Sequence, residues 1–90
     1  MQTGISSVLV KNNSFIIYPN PTSGEVEIMF NQNLNNITLK VFSLFGQKII
    51  ENKGLSGSLF NIDISGQPAG IYFIEILSDN NVLRRKLIKQ

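Results

Sequence analysis

Strict alternation of apolar and polar residues dominates the chain. Val26, Ile28 and Phe30 alternate with Glu25, Glu27 and Met29, the period-two signature of a half-buried strand. Residues 37–42 repeat it, with Ile37, Leu39 and Val41 set against Thr38, Lys40 and Phe42. Residues 58–64 repeat it again, with Phe60, Ile62 and Ile64 inward and Leu59, Asn61 and Asp63 outward. Residues 15–18 form a short first strand, and 47–52 a strand carrying Ile49 and Ile50. Residues 71–77 are the most hydrophobic run and suit a central strand, and 82–89 close the set. Segments rich in Asn, Gly, Ser or Pro separate these runs at 31–36, 43–46, 53–57, 65–70 and 79–81, each a turn signal. No stretch sustains a period of 3.6. About seven short strands, with a turn signal every 8–12 residues or so, predict an all-β, immunoglobulin-like antiparallel β-sandwich.

One stiff corner stands out. Pro19 and Pro21 bracket Asn20 between the first two strands. Each proline fixes φ near −65° and lacks a backbone donor, so neither belongs inside a paired central strand. Asn20, Thr22 and Ser23 can hydrogen-bond nearby backbone, and Gly24 can take a positive φ. Residues 1–14 are weakly patterned: Ile5, Val8, Leu9 and Val10 suit a short strand, and 11–14 read as a linker. The chain therefore divides into 1–14, a linker or N-terminal lead, and 15–90, a single domain.

Composition removes most chemistry. With 90 residues and 42% hydrophobic content, the chain can bury one modest core. There is no Cys, so neither a disulfide framework nor a thiolate nucleophile is available. There is no His, which removes the usual general base and the commonest metal ligand. No catalytic residue, cofactor site or metal site is expected. Glu25 and Glu27 share a strand face but have no acid or base partner, and Asp63 and Asp79 fit no calcium-loop spacing.

The net charge of +2 argues weakly for any polyanion, although half of the basic residues, Arg84, Arg85, Lys86 and Lys89, crowd the C-terminus. No aromatic residue interleaves with them, so a nucleic-acid partner is not expected. Alternation puts Arg85 and Lys89 on one face and Arg84 and Lys86 on the other, which leaves the edge and end of the last strand as the read-out. An exposed strand edge also permits weak homodimerisation. The N-terminus lacks a signal-peptide pattern, and no apolar run approaches a membrane-spanning length. The sequence reads as a piece of a longer polypeptide.

Three motifs occur in order: Tyr18-Pro19-Asn20-Pro21-Thr22-Ser23-Gly24 before an alternating strand; a strand, hairpin and returning strand from Leu39 through Gly46 to Ile49; and Pro68-Ala69-Gly70-Ile71-Tyr72 leading to the basic strand Arg84-Arg85-Lys86-Leu87-Ile88-Lys89. Together they resemble the C-terminal sorting domain of type IX secretion, type A, over roughly residues 15 to 90. The resemblance implies a domain at the end of a larger cargo protein that is read by the outer-membrane translocon of a Gram-negative bacterium. It further implies passage through the periplasm, cleavage before the domain by a sortase-like peptidase, and release or attachment at the cell surface. Its motif positions correspond to Pro19, Asn20, Pro21, Gly24, Gly46, Gly70, Tyr72, Lys86 and Lys89, with Arg85 in the same basic strand. Ser43 stands where the family's hairpin often carries Asp or Asn, a mild change because Ser also supports turns.

Two other classes compete. A small sandwich that binds carbohydrate or protein fits the same fold, although the chain has no Trp and only Tyr18 and Tyr72 for stacking on a sugar. An enzyme would need a convergent polar cluster that the sequence does not supply.

Overall fold

The computed structural model describes residues 15–79 and 81–90. The expected strand near Ile5 to Val10 and the linker at 11–14 lie outside the described residues. Five strands run in chain order: β1 (Phe15–Tyr18), β2 (Glu25–Ser43), β3 (Lys48–Asp63), β4 (Gly70–Ser78) and β5 (Asn81–Lys89). Every strand pair is antiparallel. No helix occurs among the described residues.

The count corrects the expectation of seven strands. Residues 31–36 and 53–57 are not loops; they continue β2 and β3 as an irregular ladder. From Leu34 to Ile37 the partner moves only from Gly57 to Leu55, so β2 carries an extra residue; from Ile37 to Leu39 it moves from Leu55 to Asn52, so β3 carries one. Such bulges absorb residues while bending the strand. Asn36 (φ 52°) and Gly54 (φ 69°) take the left-handed backbone that these irregularities need. The bulges also explain a change of phase. Val26, Ile28, Phe30 and Leu34 point inward at even positions, then Ile37, Leu39 and Val41 at odd ones.

β2 organises the sheet. Along one edge it pairs with β1 near its start and β4 near its end; along the other it pairs with β3 throughout. β5 lies outside β4. The sheet curls, because β5 returns to β1 although β2 and β4 separate them in strand order: Arg85 Nη1 donates to the Phe15 carbonyl at 2.8 Å, with its guanidinium 4.5 Å from the Phe15 ring centroid.

The concave side holds the core. Ile28, Ile37, Leu39, Val41, Ile74, Ile76 and Leu87 are fully buried, drawn from β2, β4 and β5. Phe15, Phe30 and Phe60 extend it across β1, β2 and β3, with ring centroids 5.1 and 6.0 Å apart. Burying each such side chain stabilises the fold by roughly 1.5–3 kcal/mol. On the convex side Arg84 lies 4.9 Å from the Phe73 ring centroid. Beside it, Glu51 draws in Lys40, Lys48 and Lys53, and the Lys48 hydrogen bond holds its carboxyl below the usual range.

Candidate functional site

The Pro-Asn-Pro corner does more than turn the chain. Both of its X–Pro bonds, Tyr18–Pro19 and Asn20–Pro21, are cis. Thr22, only 1% exposed, fixes the turn itself. Its Oγ1 accepts the Gly24 N–H at 2.9 Å and donates to the Glu25 carbonyl at 2.7 Å, a Ser/Thr turn of the usual kind.

The corner then reaches across to the C-terminal strand. The Thr22 N–H donates to the Ile88 carbonyl at 2.9 Å, and the Gln90 N–H donates to the Thr22 carbonyl at 2.8 Å. This is a parallel bridge between Thr22 and Lys89. Asn20 continues it with its side chain. Its Nδ2 donates to the Lys86 carbonyl at 3.1 Å, and its Oδ1 accepts the Ile88 N–H at 3.0 Å. A primary amide offers both a donor and an acceptor, as a peptide unit does. Asn20 and Thr22 thus stand in for a neighbouring strand along β5, where proline backbone alone could not. From Lys86 to Gln90 the corner occupies this edge of β5.

Gly24 locks the corner on its other side. Its carbonyl accepts the Ile64 N–H at 2.9 Å. A Cβ on Gly24 would stand 2.6 Å from Ser65 Cβ and 2.8 Å from Ser65 Cα, so the close approach itself demands glycine. The Asp63 carboxylate accepts the Ser65 N–H at 2.9 Å, which holds its pKa below the usual 3.8. The loop then turns through a Gln67 N–H to Ile64 carbonyl bond. Tyr72 ends the turn with its ring buried and its hydroxyl donating to the Pro68 carbonyl at 2.5 Å, the ring-in, hydroxyl-at-rim arrangement of an amphipathic aromatic.

Gly70 faces Lys89 across the β4–β5 ladder, and Tyr72 faces Leu87 on one side and Ser43 on the other. Ser43 opens the β2–β3 hairpin. Its N–H donates to the Gln47 carbonyl, its carbonyl accepts the Gly46 N–H at 3.0 Å, and its Oγ accepts the Gln47 N–H at 3.2 Å. Ser43 therefore does the turn work expected of it, with Gly46 at φ 88°.

The motif residues Pro19, Asn20, Pro21, Gly24, Gly46, Gly70, Tyr72, Lys86 and Lys89 thus gather at one end of the molecule. Arg85 does not join them; it points into the curl and ties β5 to β1. Lys86 and Lys89 lie on opposite faces, as alternation predicts. Thr22 is the site residue that sequence reasoning passed over as one turn former among several. A hydroxyl two residues before a glycine was the available signal.

Beside the corner lies an open groove of about 690 Å³, lined in part by Tyr18, Pro19, Glu25, Glu27 and Asp63. Glu25 and Asp63 face each other in the ladder. No cluster suited to a metal ion occurs among the described residues, and they contain no helix long and apolar enough to cross a membrane.

No curated protein matches the chain significantly. The family model described as "Secretion system C-terminal sorting domain" matches residues 16–90. That span takes in the corner, the hairpin, the Gly70–Tyr72 turn and the basic strand that closes on the corner. The chain belongs to the family of type IX secretion-system C-terminal sorting domains.

Proposed function

We propose that the end where the motifs gather is the surface by which the type IX translocon recognises a larger cargo carried ahead of residue 15. The observation that supports this is the closure of Asn20 and Thr22 onto residues 86–90. Residues remote in sequence acquire one surface only when the domain folds, so the signal is a folded shape rather than a linear tail. The domain itself performs no chemistry. The two halves of β2, packed on one core, act as the two layers of an immunoglobulin-like sandwich.

In this reading residues 1–14 are the linker in which a sortase-like peptidase cuts. The cargo passes through the periplasm and across the outer membrane of a Gram-negative bacterium, and is released or held at the cell surface. Two observations test the finer points. Removing residues 82–90 should trap a fused reporter in the periplasm, and normal export of that truncation would sink the proposal. Mass spectrometry of exported reporter should find its C-terminus within residues 1–14; a product that retains the whole domain would refute cleavage.

A second reading rests on the groove beside Tyr18, a residue 66% exposed. An exposed aromatic next to carboxylates suits a sugar-binding module. Binding to a glycan array, abolished by Tyr18→Ala, would favour it; an array without hits would remove it.

A further inference from the structure

We infer that Leu44 and Phe45, at the tip of the β2–β3 hairpin, form an apolar prong that enters a pocket on the protein of the secretion machinery that reads this domain. The inference rests on the sorting reading above and adds the contact by which it operates. Phe45 is 94% exposed and Leu44 52% exposed. Neither is needed by the turn, whose bonds come from Ser43, Gly46 and Gln47. The turn's own preferences are met by Ser43 at its first position and Gly46 at its last, so nothing in the turn calls for large apolar residues between them. Phe45 stands almost wholly in water with Leu44 half-exposed beside it, and an exposed apolar patch on a folded domain marks a contact site.

The surroundings specify the partner. The prong borders a groove of about 370 Å³ formed with Ile49, Ala69, Ile71 and Tyr72, and no charged residue lines it. The floor of the contact is mostly apolar, with Ser43, Gln47 and Gln67 as its polar members. A cation flanks it: Lys89 lies opposite Gly70, a groove residue. Lys89 pairs with no Asp or Glu side chain among the described residues, and its Nζ donates to the Gln90 oxygen at 3.5 Å. The matching surface is an apolar pocket with a carboxylate on its rim, facing Lys89. An aromatic anchor in a desolvated pocket, surrounded by polar rim contacts, is the usual form of a binding hot spot.

The test is the secreted fraction of a fluorescent protein fused ahead of residues 1–90 in a host with an active type IX system. Phe45→Ser, alone and with Leu44→Ser, should cut secretion on the order of tenfold or more, with the thermal midpoint of the purified domain unchanged. Phe45→Leu should restore most of it. Leu59→Ser, exposed on β3 away from the motif end, should be exported normally. Equal export of Phe45→Ser and the unsubstituted fusion would overturn the inference. So would a Phe45→Ser domain that unfolds, since the prong would then serve the fold. A concentration-dependent dimer lost in Phe45→Ser would assign the prong to a second copy. Binding to phosphatidylethanolamine–phosphatidylglycerol vesicles lost in the same variant would assign it to lipid. Either result also overturns the inference. Failure of the unsubstituted fusion to be exported is a separate result, which defeats the sorting reading itself.

Discussion

Asn20 and Ile88 are 68 residues apart in sequence, yet the Ile88 N–H donates to the Asn20 side-chain oxygen at 3.0 Å. The same amide donates back to the Lys86 carbonyl at 3.1 Å. One side chain thus completes the outer edge of the last strand. Open edges invite pairing with other chains, and covering them is a common remedy. Here the remedy joins the two ends of the domain.

Asn20→Ala removes both bonds and reopens that edge. Each bond is exposed, so water replaces part of it, and the loss should be about 1–2 kcal/mol in total. Urea denaturation of the domain should show a lower midpoint with an unchanged slope. Hydrogen exchange at Ile88 should quicken while exchange at Ile74 follows only the global change.

Gly24 and Gly70 make different demands. An added Cβ at Gly24 meets Ser65 backbone, whereas at Gly70, where φ is 152°, nothing lies within 4 Å. Gly24→Ala forces overpacking and should lose about 1–3 kcal/mol. Gly70→Ala meets only backbone strain and should lose roughly 1 kcal/mol. Comparison of thermal midpoints orders the two, and an equal loss would contradict the close approach at Gly24.

Arg85 bonds the Phe15 carbonyl and covers the Phe15 ring. Lys cannot reproduce a planar guanidinium that both stacks and donates. Arg85→Lys should destabilise the domain by about 1 kcal/mol, and Arg85→Ala by more. Arg84→Ala, which removes a contact on the outer face, should lose less than Arg85→Ala. Denaturant midpoints check the order.

Asp63 and Glu51 contribute to the stability lost in acid. The Ser65 backbone N–H lowers the Asp63 pKa from 3.8, and the Lys48 hydrogen bond lowers that of Glu51 from 4.5. A folded-state pKa below the unfolded one gives stability that is full above the unfolded value and is lost as pH falls through the folded one. The thermal midpoint should therefore hold down to about pH 5 and fall below about pH 4.5. Asp63→Asn keeps an acceptor for Ser65 but cannot titrate, so its midpoint should fall less steeply over that range.

Much of the fold was legible in the alternation. Phe60, Ile62 and Ile64 point inward as their spacing predicts, and Tyr72 buries its ring. The strand count was not, because Asn and Gly carry the same signal in a bulge as in a turn. Asn36 and Gly54 satisfy a left-handed backbone inside a ladder that the sequence presents as loops. At the site, the corner's stiffness was plain from Pro19 and Pro21. Its partner was not, since no local pattern says which distant strand an asparagine amide will meet. Phe45 was placed in a turn by the sequence, but how far its side chain stands out from the fold is seen only in its exposure.

The most direct test of the account is secretion of a fluorescent protein fused ahead of residues 1–90, measured in a host with an active type IX system and in a mutant of that host lacking the translocon. Secretion in the first and periplasmic retention in the second is the predicted result. Retention in both, with the fused domain folded by hydrogen exchange, would contradict it.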